Sequence, residues 1–220
     1  MKTKPKNVRT PKNYQPSIFL LPLLLLFLVS SLPTCQESGP RPEHWARPIP
    51  LKGVPNLFQV SETLYRSAQP TAEGFHALEK MGLKTVINLR GDHDDRRDMA
   101  GTKLNYVAIP SKATEVHEGD LLKFLQLVTR PENSPYLVHC HHGADRTGLF
   151  VAVYRVVVQG WPKEEAIREM QKGGFGFHNT YTNIVKYLLE FNPEKFRQAL
   201  RPGEVSRTTF FFPANELVTN

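Results

Sequence analysis

The chain has 220 residues, 40% hydrophobic and 22% charged, with a formal net charge of +7. That size and mixture suit one globular domain with appendages and exclude a disordered or fibrous chain. The charge does not predict a nucleic-acid partner, because Lys2, Lys4, Lys6, Arg9 and Lys12 sit in an acid-free first 34 residues and the remainder holds 23 basic against 21 acidic residues.

Residues 1–34 have the layout of an export or lipoprotein signal. A basic stretch precedes a 12-residue apolar run, Ile18–Val29, and the small residues Ser30 and Ser31 follow. Signal cores run about 7–15 residues and membrane-spanning helices about 20. The expectation is an exported protein, periplasmic, secreted or tethered to a membrane through this segment, with an uncleaved anchor as the alternative. "LPTC" at 32–35 approaches a lipobox, with Thr34 where a smaller residue is usual. Residues 35–56, carrying Pro40, Pro42, Pro48, Pro50 and Pro55, read as an extended linker. The domain is expected over 57–200 and a tail over 201–220, where "TTFFFP" (208–213) reads as an anchor onto the domain.

Within the domain, residues 57–67 predict a hairpin or two short strands. Thr71 caps a helix over 71–81 that places Phe75, Leu78 and Met81 on one face. "KTVINLR" (84–90) and "LNYVAIP" (104–110) are β-branched core strands, with a short charged helix expected over 92–101. Leu121, Leu122, Leu125 and Val128 mark a helix over 118–130. "PYLVHC" (135–140) is a strand and 146–160 an apolar helix. Further helices follow from Pro162 and around 181–191, joined by the glycine-rich turn "GGFGFH" (173–178), with Phe175, Phe177 or His178 as a pocket wall as the alternative reading. Strands separated by helices predict an α/β fold, a central mostly parallel sheet of about four to five strands flanked by helices.

Only Cys35 and Cys140 are present, so a disulfide framework is not expected. Cys140 ends a strand, Gly143 lies mid-turn, and Arg146 and Thr147 begin a helix. A loop in that position presents successive backbone N–H groups inward, and the helix N-terminus adds partial positive charge. The result is a phosphate cradle over His141, His142, Gly143, Ala144 and Thr147, with a sulfur at its base. Such fields favour thiolates, the reactive form of cysteine. Arg146 supplies a planar fork that can hold two oxygens of a phosphoryl group in flight. Attack by Cys140 would form a phosphocysteine that water then cleaves. Thr147 is placed to ease departure of the sulfur. A metal reading of His139, His141 and His142 beside the thiol is weak, because adjacent positions in a tight loop diverge. His139 is expected to brace the loop. No metal or organic cofactor is called for.

"HCHHGADRTG" (139–148) matches H-C-x-x-G-x-x-R-[ST]-G, a coincidence on the order of 10⁻⁶ by chance for this length. It resembles the signature loop of cysteine-dependent protein tyrosine and dual-specificity phosphatases. "LYRSAQPT" (64–71), "GLKTVINLR" (82–90) and the run from Tyr136 to about His178 look like the small bacterial atypical members and, more distantly, the plant and fungal ones. The resemblance spans roughly residues 54–190. It implies hydrolysis of phosphomonoesters on phosphorylated proteins or small molecules, and it puts Arg66, Ser67 and Gln69 near the site floor, with a purely structural role as an equal alternative. Relatives often carry a general-acid Asp after the strand that ends here in "AIP"; this chain has Ser111 and Lys112 there. Asp145 is the first candidate acid, ahead of Glu115, Glu118 or Asp120, and then Asp92, Asp94 or Asp95. Three rival readings stay open. They are an inositol polyphosphate or lipid phosphatase, an arsenate reductase lacking its further cysteines, and a non-catalytic phosphate-binding module.

Overall fold

The computed structural model describes residues 40–201. The signal-like segment, Cys35 and the 208–213 stretch lie outside the described residues. Among the described residues, six strands form one sheet in the order β1-β2-β3-β6-β4-β5. They are β1 (Arg47–Pro48), β2 (Phe58–Gln59), β3 (Leu64–Ser67), β4 (Thr85–Asn88), β5 (Asn105–Ala108) and β6 (Tyr136–His139). The two edge pairings β1–β2 and β2–β3 are antiparallel; β3–β6, β6–β4 and β4–β5 are parallel. The helices are α1 (Ala72–Lys80), α2 (Glu118–Val128), α3 (Asp145–Val157), α4 (Lys163–Lys172), α5 (Thr182–Glu190) and α6 (Pro193–Ala199).

Every residue of β4 and β6 is buried, as expected of parallel strands covered on both faces. Alternation sorts them. Ile87, Tyr136 and Val138 join the core beneath α2–α6, while Val86 and Leu137 pack with Phe75 and Leu78 of α1. Helix α3 is buried almost all round, which fits its apolar sequence and its contacts with α2, α4, α5 and α6. Thr71 caps α1, its side chain accepting from the Gly74 N–H at 3.1 Å.

Three expectations change. Residues 92–101 form turns instead of a helix. Asp94 accepts from the backbone N–H of Arg96, a local bond that competes with helix, and Asp95 is drawn into the core. The linker reading of 35–56 fails from Pro40 onward. Trp45 and Ala46 are buried, and β1 pairs with β2. The Trp45 indole donates to Glu165 and the Ala46 N–H to Glu169, both at 2.6 Å. Prolines here shape a strap that packs. Helix α6 is an addition, opened by Asn192 as N-cap and Pro193.

Register explains where the site forms. Ser67, His139 and Asn88 stand level across β3, β6 and β4, and Asn88 is level with Ala108 of β5. All four parallel strands therefore end together, and their four following loops meet at the carboxyl edge, where open α/β sheets bind ligands.

Candidate active site

Cys140 follows β6 directly and is 2% exposed. The loop beyond it is held from outside. Gln69 N–H donates to the His141 carbonyl (3.2 Å), the Asn56 amide to the His142 carbonyl (2.9 Å), and Arg66 Nη2 to the Gly143 carbonyl (2.7 Å). With three successive carbonyls tied outward, the alternate groups of the same peptides turn inward. Among the described residues, the N–H groups of His141 to Arg146 donate to no acceptor in the chain. Gly143 has φ +67°, and a Cβ there would lie 2.4 Å from the Ser67 carbonyl carbon and oxygen. The cradle thus rests on the backbone after β3 with no room for a side chain.

Arg66 is fully buried beneath this loop, its guanidinium 3.7 Å from the centre of the Phe175 ring. Burial pulls it down to about 10, against the raising influence of Glu169 and Cys140. It remains a cation at neutral pH, bonded to the Gly143 carbonyl of the loop. The glycine-rich turn after α4 consequently supports the site: Phe175 is 2% exposed and Gly173 packs against its ring.

Arg146 and Thr147 lie in the first turn of α3. Arg146 is partly exposed, its Nη1 reaching the Leu89 carbonyl at 3.4 Å. The Thr147 hydroxyl is buried without a protein partner among the described residues. A cleft of about 660 Å³ opens over Cys140, with His141, His142, Asp145 and Arg146 at its floor and rim. Gly91–Asp92, Ser111–Thr114 and Tyr181 make its walls. A second hollow of about 690 Å³, along Pro48–Phe58, is lined mostly by apolar residues and holds none of these reacting groups. His141 sits at the rim and is held below the usual histidine value by partial desolvation, His142 and Arg90.

His139, which the sequence cast as a brace for the loop, makes its side-chain hydrogen bond to Asp95 instead, and its Nδ1 is buried without a partner among the described residues. Its Nε2 lies 2.8 Å from Oδ2 of Asp95, both side chains fully buried. Oδ1 of Asp95 accepts from Gln69 at 2.7 Å, and Gln69 in turn accepts from Arg90 at 3.1 Å. Arg90 grips both oxygens of Asp92, and those hydrogen bonds hold that carboxyl down at about 2. A buried acid amid "GDHDDRRD" leaves no periodic trace, so only the fold could reveal it.

The candidate acids separate on geometry. Asp92 is on the cleft wall but ionised throughout the neutral range. Asp94 pairs with Arg96, and Asp95 is sealed behind His139. Glu118 pairs with Lys195, Glu115 is exposed beside His117, and Asp120 lies behind the wall in a small hollow with Leu149 and Phe150. Asp145 is on the cleft, with both oxygens engaged by His178: Oδ1 accepts from its backbone N–H (2.8 Å) and Oδ2 faces its Nδ1 (2.9 Å).

A buried sulfur under inward amides, between a parallel strand and a helix, with a guanidinium at the rim, is built to hold a phosphoryl group while sulfur attacks it. This is the design of the cysteine-dependent phosphatases. A family model described as "DSP-PTPase phosphatase fused to NAD+ Kinase" matches residues 56–185. The dual specificity protein phosphatase TpbA of Pseudomonas aeruginosa strain UCBPP-PA14 is 36% identical over 195 residues, 88% of each chain. The crystal structure of P. aeruginosa TpbA, as a Cys-to-Ser variant in complex with pTyr, superposes with a TM-score of 0.67 at 35% identity, over 74% of this chain and 100% of that one. Inositol diphosphatase DSP5 of Arabidopsis thaliana is 31% identical over 126 residues, 54% of this chain and 61% of that protein. The chain belongs to the dual-specificity branch of the cysteine-dependent protein tyrosine phosphatases, in the small bacterial atypical group.

Proposed function

We propose that the enzyme hydrolyses phosphotyrosine, and phosphoserine or phosphothreonine, on proteins by way of a phosphocysteine. The observation that carries this is the ring of outward-tied carbonyls, at His141, His142 and Gly143, around a buried Cys140. Inward amides and Arg146 hold the equatorial oxygens, so stabilisation is greatest where charge spreads in the transition state. Sulfur attacks phosphorus, the phosphate ester bond breaks, and water later displaces the sulfur; the buried Thr147 hydroxyl, without a partner among the described residues, is available to donate to it. His141, His142, Gly143 and Ala144 line or shape the binding loop. The likeness to TpbA over most of both chains supports a phosphoprotein substrate.

An inositol polyphosphate is the second reading, supported by the name of the plant relative and by Lys112, His141 and His142 on the cleft. Asp92 and Asp145 on the same surface oppose a polyanion. Turnover of a phosphotyrosine peptide beside an inositol diphosphate separates the two. The Cys140→Ser variant is expected to lose p-nitrophenyl phosphate hydrolysis while still binding phosphate; retained hydrolysis would refute the assignment. Export, with residues 1–34 as signal or membrane tether, is supported by the sequence layout. Fractionation of cells expressing the full chain tests it.

A further inference from the structure

The phosphatase reading leaves one chemical role vacant. A leaving alkoxide or phenoxide needs a proton, and the wall after β5, Ser111–Thr114, holds no carboxyl. Asp145 is on the cleft but poorly disposed to donate. Its oxygens both face His178, and its side chain is only 11% exposed.

His178 itself fits the role. The turn before it carries Gly174 at φ +76° and Gly176 at φ +80°, conformations that side chains rarely adopt, with Phe175 anchored between them under Arg66. That turn delivers His178 to the N-terminus of α3. Its ring lies 5.8 Å from that of His142 and 6.4 Å from that of Tyr181, between centroids, and both neighbours line the catalytic cleft with Asp145. The side chain is 52% exposed, against 11% for that of Asp145. Nδ1 is committed to Asp145, whereas Nε2 makes no hydrogen bond among the described residues. A carboxylate on one nitrogen, leaving the other available to substrate, is the arrangement by which acids orient and stabilise an imidazolium.

We propose that His178 is the proton donor of this phosphatase, with Asp145 as the residue that orients it. In the first step the Cys140 sulfur bonds to phosphorus, the phosphorus–oxygen bond of the ester breaks, and the departing oxygen takes the Nε2 proton. Imidazole is left neutral, its Nδ1–H still on Asp145. In the second step Nε2 takes a proton from water as the water oxygen bonds to phosphorus. The sulfur–phosphorus bond breaks, the thiolate returns, and His178 is recharged.

The test uses the full chain and compares kcat/KM, which reports the first step, across leaving groups. p-Nitrophenyl phosphate needs little help from an acid, whereas the phenol of a phosphotyrosine peptide has a pKa of about 10. His178→Gln is expected to lower kcat/KM on the peptide by about 10²–10⁴-fold and on p-nitrophenyl phosphate by less than about tenfold. Vanadate protection of Cys140 from iodoacetate should be preserved. Asp145→Asn should show the same selective loss, smaller in size, while Glu115→Gln and Asp120→Asn should leave both substrates unchanged. Equal losses on the two substrates, loss of vanadate protection, or no loss would each overturn the proposal. So would a selective loss appearing in Glu115→Gln or Asp120→Asn instead. A parent enzyme that turned over neither substrate would overturn the phosphatase reading itself, which is a different failure.

Discussion

Gly143 concentrates the steric logic of the cradle in one residue. Its positive φ and the 2.4 Å approach of a Cβ to the Ser67 carbonyl mean that even alanine must push the loop away from β3. The Arg66 bond to the same residue's carbonyl would be strained together with it. Gly143→Ala is expected to reduce kcat/KM by about 100-fold or more, comparable to losing an oxyanion donor, while the folded state survives. Steady-state kinetics beside a thermal melt checks this; an active variant would show that the loop has slack. The signature motif places a glycine here, and the structure supplies the reason, which is a backbone collision and not a turn preference alone.

Among the elements, the strap of residues 40–48 and helix α4 depend on each other. Glu169 is 1% exposed and accepts from Arg155 at 2.6 and 2.8 Å and from the Ala46 N–H at 2.6 Å. Arg155, 2% exposed, also donates to the Val60 carbonyl and stacks 4.1 Å from the centre of the Trp161 ring. Removing one member of such a pair leaves a buried charge uncompensated, at a cost of about 3–5 kcal/mol. Glu169→Ala should therefore lower the unfolding free energy by an amount of that order, read as a fall in the urea midpoint with the m-value unchanged. A loss below about 1 kcal/mol would mean that water reaches Arg155. Helix α4 reads in the sequence as an ordinary amphipathic helix. Nothing in "PKEEAIREMQ" marks Glu169 as interior, because its partners come from residues 46 and 155.

For the molecule as a whole, the folded unit begins earlier than its prolines suggest. Arg41 donates to the Ala46 and Gly173 carbonyls, and Gly173 leads into the turn that carries Phe175 under Arg66. The strap is thus connected to the floor of the catalytic loop through two packed neighbours. A chain starting at Pro40 should keep the melting temperature and activity of the full protein, whereas one starting at Leu57 should unfold or precipitate. Circular dichroism melts of the two separate these outcomes, and a stable, active shorter chain would restore the linker reading.

The sequence by itself determined the fold class, the parallel strands and the position of the reactive loop. Each of these rests on local signals: apolar periodicity, β-branched runs, and a motif whose residues are neighbours in the chain. It also singled out Cys140 and Arg146, whose chemistry is a matter of residue type and spacing. Only the tertiary structure decided that residues 92–101 coil so as to bury Asp95 behind His139. The same holds for the packing of residues 40–56, and for Asn56, Arg66 and Gln69 pulling three carbonyls off the cradle. It alone joined Asp145 to His178, 33 residues away. Those contacts form between segments brought together by sheet order and crossover connections, and a polar side chain carries no mark of its distant partner in its own neighbourhood of sequence.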